Sequence, residues 1–239
     1  MTVFGIAGIC TAQHALRPEF EVATVKLSPP LQPGELYRAN LGTARNGTVI
    51  LSNATLSDCI KFAYEIPSDS QILGPDWIKS RDVRFDIIGK AGPFTDRDEL
   101  LLMLQSLLAD RLKLAVHEEK RPLQFYMLVQ DPRGTKIANS NADQNYAVAA
   151  TNSRGRIVNS RLPMSALAML LSRFEREIVV DMTGLEGPFN VRLEWDVDNV
   201  TGPSLFTAIQ EQLGLKLESR KGPMDVLVVD YAERTPTEN

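Results

Sequence analysis

The stretches Gly47-Thr48-Val49-Ile50 and Gly155-Arg156-Ile157-Val158 show a repeated pattern in the chain. A shift of 108 residues (155 minus 47) aligns them without a gap. The same shift places Ser52 on Ser160. Two occurrences of one pattern, this far apart, are typical of two related units rather than of a many-repeat solenoid. We therefore predict an internal duplication.

The first unit alternates short apolar strands with two helices. Leu104 lies at the centre of a stripe of leucines on the second helix, so we expect it in the core. A strand at Phe20–Leu27 precedes the unit. The remaining predicted segments are a strand at Thr48–Ser52, a helix from Leu56, a strand at Arg84–Gly89, a helix over Leu100–Leu108, and strands at Leu112–His117 and Leu123–Val129.

The second unit repeats this order, with Leu170 expected in the core and Gly214 expected as a left-handed helix cap. Lys120-Arg121-Pro122 in the first unit and Lys221-Gly222-Pro223 in the second predict the turns of two closing hairpins. The predicted segments of the second unit are a strand at Gly155–Ser160, a helix after Pro163, a strand at Phe189–Trp195, a helix over Ser204–Leu213, and strands at Leu215–Glu218 and Val226–Asp230.

This order predicts an α+β protein of two related lobes, each a small, mostly antiparallel sheet covered by two helices. The segment between the lobes is rich in Asn, Asp, Ala, Gly and Ser, which is typical of a linker or mobile loop. The predicted boundaries are 1–15 for a truncated signal peptide, 19–131 for the first lobe, 132–153 for the linker, 154–233 for the second lobe and 234–239 for a polar tail.

The overall charge excludes one class of partner. The chain has 239 residues, a net charge of −4 and 44% hydrophobic residues, and its pI is near 5.4. A nucleic-acid-binding surface would need clustered Lys and Arg, so no nucleic-acid partner is expected. No apolar run approaches the roughly 18 residues of a membrane span.

The N-terminus predicts export. The segment from Val3 to Ala12 is small and apolar, like the second half of a signal peptide, although it lacks a basic region. Either translation starts further upstream or the segment is a disordered tail instead. On the export reading the protein is periplasmic or extracellular, and Cys59, the cysteine that remains after cleavage, is a buried hydrophobe.

No catalytic set is recognisable in the sequence. His14 and His117 are the two histidines, and no zinc-ligand spacing or Gly-x-Ser-x-Gly elbow occurs, so no catalytic residue, metal or cofactor is predicted. A rival hypothesis is a hydrolase that uses scattered carboxylates, namely Asp86, Glu118 and Asp181. For Asp181 we expect instead that its side chain holds the following Thr-Gly turn.

Three residues are candidate ligand or partner contacts: Trp77, Asp76 and His117. A Trp on a loop after Gly-Pro could anchor a partner, but such a residue more often covers the edge of a core. His117 is followed by Glu118 and Glu119, and neighbours in a strand point to opposite faces, so these groups do not converge by themselves. A surface or packing role is the alternative for His117.

Several motifs in fixed order resemble a soil-associated bacterial protein family whose exported domain has no known function. The resemblance implies export and supplies no catalytic residues; related domains are attached to membrane-embedded sensor proteases. A fainter similarity exists to the short N-terminal domains of secretins and TonB-dependent receptors, which bind partner proteins. The motifs are Phe20–Ala23, Gly74–Trp77, Arg84–Ile87, Met103–Arg111, Asp181–Gly187, Gln212–Glu218 and Val226–Asp230.

The sequence therefore favours an exported, non-enzymatic binding or protein-interaction module. Its partner would be an envelope protein or a small ligand. The alternatives are a sensor-like ectodomain that acts with a membrane signalling protein, and the hydrolase described above.

Overall fold

The structure is a computed structural model that describes residues 17–32, 34, 37–140, 155–175, 177–196 and 202–237. The predicted signal peptide at 1–15 and most of the predicted linker, from 141 onward, lie outside the described residues. The elements in chain order are β1 (Val22–Leu27), β2 (Asn40–Arg45), β3 (Thr48–Ala54), α1 (Leu56–Ala63), β4 (Ile72–Leu73), β5 (Phe85–Lys90), α2 (Arg97–Arg111), β6 (Ala115–Gln130), β7 (Ala138–Asn139), β8 (Arg156–Pro163), α3 (Met164–Glu175), β9 (Ile178–Asp181), β10 (Pro188–Glu194), α4 (Leu205–Ala208) and β11 (Leu215–Tyr231).

The first sheet is antiparallel, with strand order β1-β5-β3-β2. Alternate side chains of β3 and β5, among them Leu51 and Ile87, point to one face and are fully buried there. The helices α1 and α2 contribute Ile60 and Leu104 to the same hydrophobic cluster, which we call core 1. The prediction for Leu104 is confirmed, since none of its surface is exposed.

A polar cluster fastens the N-terminal segment to this sheet. Asn53 interrupts the pairing of β3 with β5 and has a left-handed φ of 59°. The carboxylate of Asp86 accepts hydrogen bonds from the Asn53 N–H at 2.7 Å and from the Ser28 hydroxyl at 2.8 Å. Buried Arg84 donates to the Asn53 side chain and to the Pro29 carbonyl. The Arg-Phe-Asp-Ile motif therefore has a structural role here.

The second sheet is built on a two-stranded ribbon formed by β6 and β11. The two strands pair antiparallel along nearly their whole length, from Leu215 opposite Gln130 to Tyr231 opposite Ala115. Parallel partners cover only the ends: β4 pairs with β11 near Leu227, and β9 pairs with β6 near Phe125. The middle of the ribbon, residues 118–124 and 219–225, is exposed or half-exposed.

The ribbon corrects the predicted hairpins. Leu112–His117 and Leu123–Val129 were expected as two strands joined by a turn, but β6 runs through Lys120–Pro122 without one. Pro122 instead lies opposite Pro223 on β11. Neither proline has an N–H, so this pair occupies a non-hydrogen-bonded position, where an N–H would point away from the partner strand. Proline fits there because no third strand of the described residues pairs with the ribbon at that level.

The third sheet, with strand order β7-β10-β8, covers a second hydrophobic cluster, core 2. Phe189, Val191 and Leu193 alternate along β10 and are buried, which confirms the predicted half-buried strand. Trp195 follows them and packs edge-to-face on Phe174 of α3, with ring centroids 4.9 Å apart. Leu170 is only half-buried at the margin of this core, so the expectation of a fully buried side chain was wrong.

The α+β class is confirmed, but the architecture is three sheets rather than two separate lobes. One end of the ribbon supplies Leu227 and Val229 to core 1, and the other end supplies Leu215 and Leu217 to core 2. Each core therefore depends on both long strands. The predicted helix at Ser204–Leu213 begins as α4 and continues as a π-helical turn over Ile209–Leu213.

The two glycines of the opening motif occupy similar local environments. Gly47 and Gly155 both have left-handed φ values, 68° and 47°, and both are buried. The Gly47 carbonyl accepts a hydrogen bond from the Ala91 N–H at 2.8 Å, and the Gly155 carbonyl accepts one from the Trp195 N–H at 2.8 Å. In each case the donor is the residue that directly follows the neighbouring antiparallel strand, β5 or β10.

Candidate functional site

An open cleft lies between the two cores, where α1 and α2 of core 1 approach α3 of core 2. It is a shallow groove open to solvent, and its enclosed volume of about 20 Å³ has room for roughly one water molecule, which is far smaller than a typical ligand pocket. Boundaries between packed units are common positions for such sites. The lining residues are Lys61, Phe62, Glu65, Ile66, Pro67, Arg97, Met169 and Arg173.

The core 1 wall of the cleft is formed where α1 ends. Thr55 caps the start of α1 in a capping box with Asp58, which fixes the helix and directs Ile60 into the core. The chain then turns at Glu65, whose φ of 54° is left-handed. As a result, Phe62 and Ile66 pack on the margin of core 1 and still line the cleft.

Two of the three cations in the cleft already have anionic partners. The Lys61 ammonium lies 3.1 Å from an oxygen of Asp58 and 3.0 Å from an oxygen of Asp69. Partial burial opposes ionisation of Asp69, but the hydrogen bond from Ser57 and the charge of Lys61 outweigh it and lower the pKa of Asp69. The second partnered cation is Arg97, which pairs with Glu65.

The core 2 wall presents Met169 and Arg173, which are four residues apart and therefore lie on the same side of α3. Met169 is exposed for 43% of its surface, although its neighbours Ala168 and Leu171 are buried. Within the part of the chain that the structure describes, Arg173 has no hydrogen bond or ion pair. Arg173 is therefore an exposed cation of the cleft that forms no ion pair with any other described residue.

Trp77 lies away from the cleft and covers the edge of core 1. Its side chain is half-buried against that core, and the Arg234 guanidinium stacks 5.4 Å from the centre of its ring. Asp76, beside it, is exposed at the first position of a short 3₁₀ turn. The structural role anticipated for Trp77 is the one observed, and this loop forms no cavity with the cleft residues.

His117 lies on the ribbon, on the face opposite to core 1. Its cross-strand neighbour is Val228, which alternates with the core residues Leu227 and Val229. The His117 Nδ1 is 2.9 Å from both carboxylate oxygens of Asp230, and this hydrogen bond raises the pKa of His117. The structure therefore does not bring His117 together with Trp77, since the Trp packs on the core side.

The carboxylates of the rival hydrolase hypothesis are also separated. Asp86 belongs to the cluster around Asn53, and Glu118 is exposed on the ribbon. Asp181 accepts hydrogen bonds from the N–H and the hydroxyl of Thr183, which confirms the predicted turn-holding role. Among the described residues, no three His, Cys, Asp or Glu side chains come close enough to hold a metal ion.

Two further titratable groups have structural environments. Hydrogen bonds from Arg133, and a further one from Gln210, hold the pKa of Asp131 well below its usual range. These contacts tie the end of β6 to the π-helical turn before β11. Burial strongly raises the pKa of the Cys59 thiol, so Cys59 is a packing residue, as expected.

Sequence reasoning missed the cleft because its residues form no motif. A clue was nevertheless present in the 108-residue shift, which places Lys61 on Met169 and Glu65 on Arg173. The cleft thus takes these positions from α1 with the turn that follows it, and from α3.

The fold and the cleft define a two-core α+β protein without a recognisable catalytic set in its described residues. The chain belongs to the DUF3738 family of proteins of unknown function, whose family model matches residues 57–232. The predicted resemblance to a domain of unknown function is confirmed at this level. Neither the comparison with curated proteins nor that with solved structures gives a match. None of the described helices has the length and apolar character needed to cross a membrane.

Proposed function

We propose that this protein is an exported, non-enzymatic binding module whose two related units form a single ligand-binding cleft. The observation that carries the proposal is the position of Arg173 and Met169. Arg173, which has no partner among the described residues, and the exposed apolar side chain of Met169 both line the cleft between the two cores. Boundaries between packed units are common positions for binding sites.

The proposed duplication is supported by corresponding contacts in the two halves. Gly47 and Gly155 share their backbone conformation and their hydrogen-bond pattern. The strand after α1, β4, pairs parallel with β11, whereas the strand after α3, β9, pairs parallel with β6. Each unit therefore contributes its long strand to the sheet region of the other unit, as in an exchange of strands between two copies.

A pull-down from an envelope extract tests the binding function. The purified protein is compared with Met169→Trp, which fills the cleft, and with Met182→Trp, which adds the same bulk at a methionine that is 57% exposed elsewhere. We expect material retained by the wild type and by Met182→Trp to be lost with Met169→Trp. Equal capture by all three proteins would contradict a role for the cleft.

The same protein tests the hydrolase alternative. In a broad hydrolase screen we expect no turnover, and no difference between the wild type and His117→Ala, because His117 faces solvent and Asp230 is its side-chain hydrogen-bond partner among the described residues. A general base needs convergent neighbours that bring its pKa near the working pH and a substrate within reach. Robust turnover abolished by His117→Ala would favour the enzyme over the binding module.

Export is part of the proposal and rests on the apolar segment Val3–Ala12. We expect the mature protein to begin near residue 13 and to reside outside the cytoplasm. Mass spectrometry of the protein from its native host, after fractionation, measures both properties. An intact Met1 in the cytosolic fraction would contradict export without affecting the cleft.

A further inference from the structure

The two cores come from different parts of the chain. The buried residues of core 1 lie in residues 25–114 and 227–229, whereas those of core 2 lie in residues 128–217. All but three of the buried apolar side chains in the described residues belong to one core or the other, and the exceptions are Leu101, Ile178 and Val226. The protein therefore consists of two separately packed bodies, and the ribbon of β6 and β11 passes from one to the other.

The ribbon is narrowest between the two bodies. On the core 1 side, β4 pairs with β11 at Leu227 and Val228, and on the core 2 side, β9 pairs with β6 from Phe125 to Leu128. Between these levels, residues 119–124 of β6 pair with residues 221–226 of β11 and with no other strand of the described residues. Two strands by themselves are marginally stable in water and twist more than a wide sheet does. The middle of the ribbon is therefore the most deformable part of this connection.

Gly222 lies at this level and has no structural requirement to be glycine. Its φ lies outside the left-handed region, and the nearest atom to an added Cβ is a ring carbon of Phe125 at 3.5 Å, an ordinary van der Waals contact. A glycine inside a strand weakens the strand, because its backbone has more conformational freedom than that of any other residue. Gly222 also adjoins the facing prolines, Pro122 and Pro223. Bending at this level is therefore less costly than bending elsewhere along the ribbon.

The contact between the two bodies across the cleft is loose. The cleft encloses only about 20 Å³ and is open to solvent, and Met169 on its core 2 wall is 43% exposed. The ion pairs of Lys61 and Arg97 are formed with partners on the core 1 side. Relative motion is the ordinary expectation for two bodies of one chain whose interface is neither large nor strongly apolar.

We propose that the middle of the ribbon is a hinge, about which core 1 and core 2 rotate as two rigid bodies and thereby change the width of the cleft. In hinge motions a few residues absorb the change in backbone angles while the packed units on either side keep their structure. The hinge goes beyond the proposed binding function and does not depend on it, because its motion needs no ligand.

Residual dipolar couplings of the full-length, deuterated protein test the hinge. Backbone amide couplings are measured in a weakly aligning, uncharged medium. One alignment tensor is fitted to α2 and β5 of core 1, and another to α3 and β10 of core 2. We expect each body to fit a tensor of its own and the two tensors to differ in magnitude, because hinge motion on the microsecond to millisecond scale averages the couplings of one body relative to the other. A common tensor for both bodies would overturn the hinge, and so would couplings of α3 and β10 that fit no single tensor.

Two glycine variants locate the motion. Gly222→Val places a β-branched residue, which restricts the backbone and favours the extended conformation, where an added Cβ has room. We expect the two tensors to become more alike in this variant. The matched control is Gly92→Val in the turn before α2, because Gly92 also has a φ outside the left-handed region and its added Cβ would lie 3.6 Å from the nearest atom. The control should keep the difference seen in the wild type. An unchanged difference in Gly222→Val, or an equal reduction in both variants, would overturn the ribbon as the hinge.

Discussion

Core 1 and core 2 follow the same order of elements but differ in how completely they are sealed. Among the described residues, 15 of the 21 buried members of core 1 are at most 1% exposed, against 8 of the 18 in core 2. The second helix of core 1 is regular over fifteen residues, whereas its counterpart in core 2 is four α-helical residues and a π-helical turn. The same order of elements can therefore form two cores that are packed to different extents, with the ribbon of β6 and β11 contributing to both.

Deletion of the first three strands should have the largest effect on stability, because it removes most of the sheet that covers core 1. Removal of residues 1–56 deletes β1, β2 and β3, with the buried Val25, Val49 and Leu51. The loss of three of the four strands of the sheet should exceed the 5–15 kcal/mol or so that stabilises a typical domain. We expect the fragment 57–239, which still contains the whole family match, to lose cooperative unfolding in urea followed by circular dichroism.

Core 2 serves as an internal control in this fragment, because all its residues are retained. Its aromatic pair, Phe174 and Trp195, lies outside the deleted region. If the fragment retains the full-length unfolding midpoint, then β1–β3 are accessory and core 1 is not the better-sealed unit.

Single substitutions in the two cores test the difference in how tightly their helices are packed. Leu104→Ala should lower the free energy of unfolding by about 2–5 kcal/mol, because its side chain is fully buried among helices and strands of core 1. Leu170→Ala should cost only about 1 kcal/mol, since half-burial gains a fraction of the full transfer energy. Chemical denaturation of both variants measures the two costs. Equal losses would mean that the two helical stripes are packed alike.

The paired glycines give a smaller and more specific test. An Ala side chain at Gly47 would approach the Gly92 carbonyl oxygen at 2.2 Å, which is backbone, whereas at Gly155 it would approach the Trp195 ring at 2.6 Å. Both changes also strain a left-handed φ, at about 1–3 kcal/mol. We expect Gly47→Ala to be the more destabilising, because a side chain yields more easily than backbone.

Gly184→Ala is the matched control for these variants. Gly184 has a left-handed φ of 66° but open space around its missing side chain. Its loss in unfolding free energy should therefore report backbone strain alone, and the excess in the other two variants should report the contacts. An equal loss in all three would leave no steric difference between the cores at this position.

The smallest effect is expected for Asp230→Asn, which removes the hydrogen-bond partner of His117 at the core 1 end of the ribbon. The hydrogen bond with Asp230 raises the pKa of His117, so this contact stabilises the fold in full below the pKa of an unfolded histidine and is lost as the pH rises through the folded pKa. Asp230→Asn should therefore lower the urea midpoint at acidic pH and converge with the wild type at alkaline pH.

The control is Asp225→Asn, whose carboxylate pairs with Lys120 at 3.2 Å on the same ribbon. Its difference from the wild type should not change over the range in which histidine titrates, because this ion pair contains no histidine. A pH-dependent difference in this control would assign the effect to the ribbon as a whole rather than to His117.

The sequence predicted local elements well where periodicity and caps agree. The leucine stripe of α2, the alternation in β10 and the left-handed Gly214 all occur as expected, because each depends on residues close together in the chain. The hairpins failed for the opposite reason. Pro122 and Pro223 are about a hundred residues apart, and only the pairing of β6 with β11 shows that neither ends a strand.

The candidate site was less predictable than the fold. Trp77 and His117 stand out by residue type, yet the Trp is used in packing and the His in a surface hydrogen bond. Arg173 is unremarkable in sequence, and its significance depends on which carboxylates reach it. Which charged groups lie near Arg173 depends on how α1 and α3 approach each other across the cleft, and no local sequence pattern specifies that approach.

The facing prolines of the ribbon have a consequence for solubility. A bare two-stranded ribbon offers two rows of unpaired backbone groups to any other extended chain, which is how proteins begin to aggregate. At the level of Pro122 and Pro223, the outward-directed position has no N–H to donate, so an incoming strand cannot complete its ladder there. Charged neighbours such as Lys120 and Asp225 add desolvation costs to such a contact. These features oppose edge-to-edge pairing along the exposed middle of β6 and β11.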